Sequence, residues 1–591
     1  MSTTKTWPIR VLILPFVAGI IVAAVLSSEQ NWVSTSDAHT QFLLDNIGRF
    51  APESFGQLGG KGLDEMITQL SDEFDKKALR ALQDLLVEME ARHKRETHPA
   101  VRQDLDILID FLKRNLEEFN LSDRLLLPYQ DPVELIFRGL KALLDDQVAE
   151  ARRPAALVRL RRYTGLEAGW TPVLKQAEDN LRSGLKKPGL LGPFRGQVEL
   201  DLKLGPRYIA GIAGLFDKYK LTGRAEALSA LEKQQKTWDT FVRQEILPRA
   251  RKDHRLPPEL YRLKLKENGV DMPLEELVNR SQASFREIQN EMRVIAALIA
   301  EKRGWPERDY RRVIQELKKE QLAPEEAVAR YRERIDFMVR LAAKEKIVTF
   351  PSRDLRIRLA TEAESASVPG PSMKPPPLLG NTGEMGEFIV ALGRSGGQGF
   401  DDFTNEAATW TLAAHEGRPG HEMQITRALE NGISKARVLF CLNTANLEGW
   451  ALYIEAEIKP YLPLEGQLFS LQFRLMRAAR AFLDPGVQTG DIPPDTALRV
   501  LTRDVVLSEP LARLELERYM DKLPGLAPAY FCGYTRMMEL RAEVERRLGE
   551  KFDQLKYHDF LMGIGPVPIV LVRQVLLQDF VPAMLGQRKA G

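Results

Sequence analysis

Residues 413–424 have the sequence AAHEGRPGHEMQ and close a segment with helical character. They contain two of the chain's seven histidines, His415 and His421. In an HExxH helix, histidines four positions apart lie on one face and share a zinc ion, while the glutamate activates water. Positions six apart lie about 120° from a common face on an ideal helix. A straight helix would therefore keep these two imidazoles apart.

The Pro-Gly pair between the two histidines offers a way to bring them together. Pro419 removes a helical hydrogen bond, and Gly420 permits backbone angles that other residues avoid. We predict a kink or an unwound turn that redirects His421 towards His415 and creates a metal or catalytic site. The alternative is that Pro-Gly simply ends the helix and that both histidines are structural or surface groups.

A second helical segment, residues 446–457 (NLEGWALYIEAE), follows downstream. Glu448 and Glu455 are seven positions apart and therefore share one helical face. Two stacked carboxylates can supply a third metal ligand and a partner for a ligating histidine. Solvated helix charges are the alternative. The apolar residues of the segment form another face, which consists of Leu447, Trp450, Ala451, Ile454 and Ile458.

The composition is that of an ordinary globular protein. Among 591 residues, 84 basic side chains nearly balance 82 acidic ones, which leaves a net charge of +2 and indicates no nucleic-acid partner. The two cysteines, Cys441 and Cys532, exclude a disulfide framework and a cysteine-based zinc ribbon. A single disulfide and any oligomeric state remain open.

Residues 1–28 have the layout of a signal peptide or an N-terminal membrane anchor. Lys5 and Arg10 precede an apolar run at residues 11–26, after which polar residues return. Both interpretations predict export. We expect a periplasmic protein, or one attached to the membrane through residues 11–26 and facing the periplasm or the exterior.

The remaining chain divides into two predicted parts within a mainly α fold. Residues 29–345 form a helical N-terminal half, with clear helical periodicity at 63–70, 105–112 and 133–144. Residues 346–591 form the catalytic half. Strands are predicted at 347–351, 355–360 and 386–393, so a small β-sheet precedes the motif helix. Residues 369–377 (PGPSMKPPP) predict an extended linker, and the glycines of 393–399 a flexible loop.

Several motifs of the sequence resemble those of one known family. HEGRPGHEMQ resembles the HExxPGHxxQ signature of the bacterial domain-of-unknown-function family 885. Four further segments resemble motifs of that family: EGWALYIE at 448–455, RAARAFLDPG at 477–486, PGLAPAYFCGYTRMMELR at 524–541 and YHDFLMGIGPVP at 557–568. The family is similar to gluzincin metallopeptidases. The resemblance implies a large helical fold around a deep cleft, and hydrolysis of a peptide or small amide substrate.

The resemblance also implies roles for individual residues. His415, His421 and Glu448 would bind Zn²⁺, and Glu416 would act as the general base. Tyr530 would donate its phenol to the oxyanion, a role that needs a preorganised donor.

Other residues are expected in or behind the cleft. Arg477 and Arg480 suit a substrate carboxylate, His558 would lie beside them, and Asp484 would orient one arginine. Glu455 would accept a hydrogen bond from a metal-ligating histidine. For Tyr530, Arg477, Arg480, His558 and Asp484, the open alternative is an internal structural pair or a charge on a helix surface.

Three residues depart from the family pattern. Gln488 replaces a histidine, Leu526 replaces the glutamine of PGQA, and Phe531 replaces a lysine. Because these changes remove polar groups near the predicted cleft, they put substrate preference and activity in question.

Two rival functions remain. GRSGG at 393–397 matches G-x-S-x-G, and Asp484 and His558 follow it in the chain order of an α/β-hydrolase, so Ser395 could be a nucleophile. However, a nucleophile elbow needs a helix directly after the serine, and glycines follow instead. The third possibility is an anchored helical scaffold that has lost activity.

Overall fold

The computed structural model describes residues 32–361, 364–365, 368, 370–391, 394–395, 398–441 and 443–587. About 69% of the molecule is helical and the strands are few, which confirms the predicted mainly α class. The predicted signal or anchor at residues 1–28 lies outside the described residues. Within them, no helix is both long enough and apolar enough to span a bilayer.

The helices before the sheet belong to the region predicted as the helical half. They are α1 (residues 32–47), α2 (Pro52–Gln57), α3 (Asp72–Arg95), α4 (Pro99–Leu125), α5 (Pro132–Lys141), α6 (Ala155–Tyr163), α7 (Val173–Gly184), α8 (Arg195–Lys218), α9 (Ala225–Phe241), α10 (Pro258–Glu267), α11 (Leu274–Arg303), α12 (Tyr310–Leu317) and α13 (Pro324–Lys344). The periodic segment at 105–112 is confirmed in α4, and the segment at 133–144 is confirmed as far as Lys141, where α5 ends.

The helices after the sheet carry the motif region. They are α14 (Ala408–Glu416), α15 (His421–Glu430), α16 (Lys435–Leu439), α17 (Thr444–Ile458), α18 (Leu464–Thr489), α19 (Pro494–Arg499), α20 (Glu509–Glu517), α21 (Ala527–Leu548), α22 (Gln554–Ile564), α23 (Ile569–Val575) and α24 (Val581–Leu585). Wider π-helical turns continue several of them, at Val500–Asp504, Arg518–Lys522 and Leu576–Phe580.

A three-stranded sheet lies just before the motif helix, as predicted. Strand β1 (Arg356–Leu359) runs parallel to the central β3 (Glu387–Val390), and β2 (Ser372–Lys374) pairs with β3 in the antiparallel sense. Strand β3 is buried along its whole length. Two further strands, β4 (Arg394–Ser395) and β5 (Gln398–Gly399), pair with each other inside the glycine-rich segment that was predicted to be a loop.

Two of the predicted strand assignments need correction. Residues 347–351 form no strand, because Ile347 and Val348 are buried in the helical core and Asp559 accepts the backbone N–H of Thr349. Conversely, the proline-rich linker contains strand β2. Prolines flank Ser372–Lys374 but do not occur within it, so its backbone can pair with β3.

Residues 63–70 have helical periodicity but form no helix, so this prediction is wrong. Ile67 is buried as the pattern suggests. The backbone, however, is held by side chains from elsewhere: Glu53 and Gln176 accept its N–H groups. The fully buried Arg159 donates to two of its carbonyls. Side-chain hydrogen bonds thus replace the helical ones.

Buried apolar side chains form four clusters. The largest combines residues from Met272 to Ile335 with residues from Leu355 to Cys532, and so includes both sides of the boundary predicted at 345/346. The division into two halves stays a prediction. The described residues do not show the deep gluzincin-like cleft that the resemblance implies.

Candidate metal centre

Helix α14 carries the first predicted ligand at its C-terminal end. It begins where the side chain of Asn405 accepts the backbone N–H of Ala408 at 2.9 Å, which satisfies a free helix-end donor. It is buried on nearly all sides, so its small residues are surrounded by other elements. The helix ends at Glu416, and α15 begins at His421. The motif is therefore two helices joined by a turn.

The turn packs directly against the end of α14. A Cβ atom on Gly420 would lie 1.9 Å from the carbonyl oxygen of His415, so only glycine fits there. The Arg418–Pro419 peptide bond is cis. The indole Nε1 of Trp450 donates to the carbonyl of Pro419 at 3.1 Å. These contacts fold α15 back so that its first residue faces the end of α14.

The three predicted metal ligands meet at this turn. The ring centroids of His415 and His421 are 4.7 Å apart, with an angle of 78° between the planes. One oxygen of Glu448, Oε2, lies 3.4 Å from Nε2 of His415 and 3.3 Å from Nε2 of His421. One ligand atom from each residue falls within 4.8 Å of the others. The turn thus brings His421 close to His415, and α17 supplies Glu448.

The carboxylate of Glu448 is short of partners. Its Oε2 is buried and has no hydrogen-bond partner among the described residues. Burial raises the pKa of Glu448, but the adjacent imidazoles of His421 and His415 outweigh it and hold the pKa well below its usual range. Buried polar atoms without partners are uncommon and call for an explanation. An anionic oxygen between two imidazole nitrogens fits a bound cation.

His415 is fixed from behind by a second carboxylate. Its Nδ1 donates to Glu455 at 2.6 Å, and the hydroxyl of Thr411 donates to the other Glu455 oxygen at 2.5 Å. Burial lowers the pKa of His415, but the carboxylates of Glu448 and Glu455 outweigh it and raise the pKa to about 9. With Nδ1 engaged, Nε2 is the nitrogen that faces Glu448. Glu455 thus contacts the nitrogen of His415 that does not face Glu448.

Glu416 lies beside the three ligands and remains reachable from solvent. Its Oε1 is 3.8 Å from Nε2 of His415, and its side chain is 17% exposed. The other oxygen, Oε2, accepts the backbone N–H of Met373 in strand β2 at 3.0 Å. The sheet edge thus positions the residue predicted as the general base.

Tyr530 lies on α21, which crosses α17 at close range. A Cβ on Gly533 would lie 1.8 Å from the carbonyl oxygen of Ala445, so glycine permits this approach. The guanidinium of Arg480 lies over the Tyr530 ring at 4.5 Å. Burial and the charge of Glu448 raise the pKa of the phenol, so it remains a donor.

Arg480 and Asp484 have partners other than those predicted. Arg480 donates to both oxygens of Glu515, at 2.8 and 2.7 Å, so its guanidinium is engaged in an internal pair. Asp484 accepts from the hydroxyl of Tyr261 at 2.7 Å and from the backbone of Gly525 at 3.1 Å. It therefore orients neither arginine. Burial raises its pKa to about 7.

His558 is a core residue rather than a cleft residue. Its Nδ1 donates to the carbonyl of Ile347, and its Nε2 accepts from the hydroxyl of Tyr453, both at 2.7 Å. Burial lowers its pKa to about 3. Because His558 and Asp484 have separate partners, they do not form the pair that a serine hydrolase needs. Among the described residues, Ser395 belongs to strand β4 and pairs with Gln398 of β5.

Arg477 and two of the departures from the family pattern, Gln488 and Phe531, are also buried. Arg477 is buried, and its nearest carboxylate oxygen is Oε1 of Glu455 at 3.9 Å. Of the three departures, Gln488 ties backbone groups of Leu256 and Tyr519 together. Phe531 lines a small cavity beside Arg477.

Two contacts of the site were missed from the sequence. Thr411 lies four positions before His415, a spacing that places it on the same helical face, so this signal was available. The hydrogen bond from the backbone N–H of Met373 to Glu416 could not be predicted, because it requires strand β2 to lie beside the end of α14.

Comparison with known proteins assigns the family. The family model described as "Bacterial protein of unknown function (DUF885)" matches residues 52–576. The chain belongs to this family. Membership of DUF885 confirms the resemblance of the motifs; the further likeness to gluzincin metallopeptidases stays a prediction. No curated protein matches the sequence of this DUF885 chain.

Solved structures share the fold of this DUF885 protein. A candidate lipoprotein from Colwellia psychrerythraea has a TM-score of 0.75 and 17% identity, over 93% of this chain and 99% of its own. A candidate lipoprotein of unknown function from Shewanella oneidensis has a TM-score of 0.69 and 17% identity, over 91% and 99%. Pz peptidase A with an inhibitor aligns over 86% and 96% at 12% identity, but its TM-score of 0.25 supports no inference.

Proposed function

We propose that the chain is a zinc-dependent hydrolase that cleaves peptide or small amide bonds. The observation that carries the proposal is the meeting of His415, His421 and Glu448, with a buried Glu448 oxygen that lacks a partner. Two imidazoles and one carboxylate are a donor set of catalytic zinc sites, which keep a further position open. Zn²⁺ held there would supply Lewis acidity, which lowers the pKa of water and polarises a carbonyl.

The other residues have complementary tasks in this proposal. Glu416 would accept the proton of the attacking water, because its carboxylate is partly exposed and held in place by Met373. It would then pass that proton to the departing amine. Tyr530, whose phenol stays protonated, would donate to the oxygen that becomes negatively charged. Glu455 would fix the ring of His415 throughout.

The location of the protein is part of the same proposal. The apolar run at residues 11–26 would direct export, and it would hold the protein at the membrane if it is not removed. The description of the two solved relatives as lipoproteins agrees with an exported protein attached to a membrane.

The test compares metal content and hydrolysis in three proteins. Wild type should contain about one zinc per chain and cleave members of a mixed peptide panel. Glu416→Gln should keep the metal and lose roughly 100-fold or more in kcat, because the general base is gone. Glu301→Gln, an exposed change of the same kind on α11, should behave as wild type.

Several outcomes would contradict the hydrolase. A metal-free preparation with full activity, or full activity in Glu416→Gln, would exclude the mechanism. Loss of activity in Ser395→Ala with Glu416→Gln unaffected would favour the serine hydrolase. Zinc binding without cleavage of any peptide or amide would favour the inactive scaffold.

A further inference from the structure

Strand β2 positions the candidate base, yet few bonds of its own hold it in the sheet. It spans only Ser372–Lys374 and lies at the edge of the sheet beside β3. Pro371 and Pro375 flank it, and proline has no N–H that could extend the pairing. The backbone N–H of Met373 donates to Glu416 at 3.0 Å. The position of Glu416 therefore depends on the other contacts that fix β2.

An ion pair joins β2 to the helical region that precedes the sheet. Nζ of Lys374 lies 2.7 Å from Oδ2 of Asp145, which belongs to the loop after α5, and both side chains are partly buried. Glu387 of β3 lies opposite Lys374 in the sheet. Its carboxylate, however, is bound by Arg356 and Arg358 of β1. Lys374 therefore finds its carboxylate outside the sheet, in Asp145.

The loop that supplies Asp145 is itself held by the end of α8. The next residue, Asp146, accepts from the hydroxyl of Tyr219 at 2.7 Å and pairs with Lys218 at 2.9 Å. Burial raises the pKa of Asp145, but the charge of Lys374 and its hydrogen bond outweigh burial and hold the pKa below its usual value. Asp145 is therefore a charged group in a fixed loop at neutral pH.

We propose that Asp145 and Lys374 are positioning residues for Glu416. Their ion pair fixes β2 against the loop after α5, and β2 in turn presents the N–H of Met373 to the Glu416 carboxylate. Both residues act through the backbone of β2 rather than on Glu416 directly. A general base must lie within hydrogen-bonding reach of the group it deprotonates, so a small shift of β2 lowers the rate. The inference rests on the proposed function, because it takes Glu416 as the base.

Two single substitutions break the ion pair with opposite changes of charge. Asp145→Asn removes a negative charge but keeps an oxygen for the backbone N–H of Gln147, whereas Lys374→Met removes a positive charge. Both should lower kcat about 10-fold and leave KM nearly unchanged, because a displaced base weakens mainly the transition state. Charge alone would change kcat in opposite directions in the two variants. Lys374→Arg keeps the ion pair and should stay close to wild type.

Hydrogen exchange tests the ion pair without any hydrolysis. Followed by mass spectrometry on peptides that cover Ser372–Lys374, exchange should be about 5-fold faster in Asp145→Asn and in Lys374→Met, because β2 opens more often. Peptides that cover β1 should exchange as in wild type. The double variant Asp145→Lys with Lys374→Glu restores an ion pair of reversed polarity. It should return both exchange and kcat towards wild type, whereas each reversal alone should not.

Asp64→Asn is the matched control. Asp64 forms an ion pair of the same length, 2.7 Å, with Arg152, and both side chains are partly buried. Because neither residue belongs to the loop after α5 or to the sheet, kcat and the exchange of β2 should not change.

Three results would overturn the proposal. One is unchanged exchange of β2 in Asp145→Asn and Lys374→Met. Another is faster exchange of β2 with wild-type kcat in both variants. The third is a change of kcat in opposite directions in the two variants. If wild type cleaves no peptide or amide, the proposed function fails, and the exchange of β2 still decides whether Asp145 fixes the strand.

Discussion

At the residue scale, the orientation of one imidazole depends on a chain of two hydrogen bonds. Thr411 donates to Glu455, and Glu455 accepts from Nδ1 of His415. This chain turns Nε2 of His415 towards Glu448, where the proposed metal would bind. Partners behind a ligating histidine fix its ring and its tautomer and raise its basicity. Thr411 should therefore affect metal affinity without contacting the metal.

Thr411→Val tests this dependence. Valine has nearly the shape of threonine but lacks the hydroxyl, so Glu455 would lose one of its two donors. We expect zinc affinity, measured by competition with a chromogenic chelator, to fall about 10- to 100-fold. Thr411→Ser keeps the hydroxyl and should stay close to wild type. Wild-type affinity in the valine variant would show that Glu455 is held without Thr411.

His558 gives a prediction for the dependence of stability on pH. Its pKa is about 3 in the folded protein against 6.5 as the unperturbed value, because burial disfavours the charged ring. Only the unfolded chain takes up a proton as the pH falls from about 6.5 towards 3. The stabilisation from neutral His558 is thus complete above pH 6.5 and is lost on acidification, by up to about 1.4 kcal/mol per pH unit.

The measurement is the free energy of unfolding in urea between pH 7 and pH 4. His558→Gln retains a donor and an acceptor but does not titrate, so its stability should fall less steeply than that of wild type. Parallel pH profiles for the two proteins would mean that His558 is not buried as a neutral ring.

The predicted site residues differ in how far the sequence could specify them. His415, Glu416 and His421 lie on one short stretch, and the distances within it limit where they can go. His558 and Asp484 depend on partners supplied by distant parts of the chain, at Ile347 and Tyr261. No local pattern contains that information, so a motif match did not distinguish a core residue from a cleft residue.

At the scale of elements, the site depends on the turn that separates α14 from α15. The turn lies against the last carbonyl groups of α14, and the contact is close enough to exclude any side chain at Gly420. The approach of α15 to α14 therefore sets the distance between the two imidazoles. A side chain at this position would push the helices apart.

Gly420→Ala should open the turn. We expect urea unfolding to show that the free energy of unfolding falls by about 1–3 kcal/mol. Metal analysis should show that zinc binding is lost. Gly214→Ala is the matched control: it lies at an exposed position of α8, where an added Cβ meets nothing within 4 Å. That change should be neutral or slightly stabilising. Full zinc content in Gly420→Ala would refute the role of the turn.

Elements were predictable where a local pattern and the tertiary contacts agree. The long amphipathic helices, β1 and β3 follow this rule. Residues 63–70 break it, because Arg159, Glu53 and Gln176 bind their backbone and no helical hydrogen bonds form. Strand β2 is the opposite exception: its proline-rich surroundings do not suggest a strand, but one forms because the backbone pairs with β3.

At the scale of the whole molecule, the candidate site lies where two apolar cores meet. Leu412 and Ala413 of α14 belong to the largest core cluster, and Ala414 belongs to a second one with Trp450. The three ligands come from α14, α15 and α17, which are three separate helices. A metal bound to all three would connect these parts and stabilise the folded state.

Metal removal should therefore destabilise the whole protein. A ligand at 100 times its dissociation constant adds about 2.7 kcal/mol to the free energy of unfolding, so chelation should lower the midpoint of thermal unfolding. His421→Ala, which lacks one ligand, should start lower and show no further decrease with the chelator. Equal unfolding temperatures of wild type with and without chelator would contradict a stabilising metal.

The contact between strand β2 and Glu416 has a consequence for mutational scans. Met373 holds the carboxylate through its backbone N–H, so replacing its side chain with most other residues would leave that hydrogen bond in place. Proline alone lacks the donor. A scan of position 373 should therefore tolerate most substitutions but not proline. A score averaged over all substitutions would hide a residue that positions the candidate base.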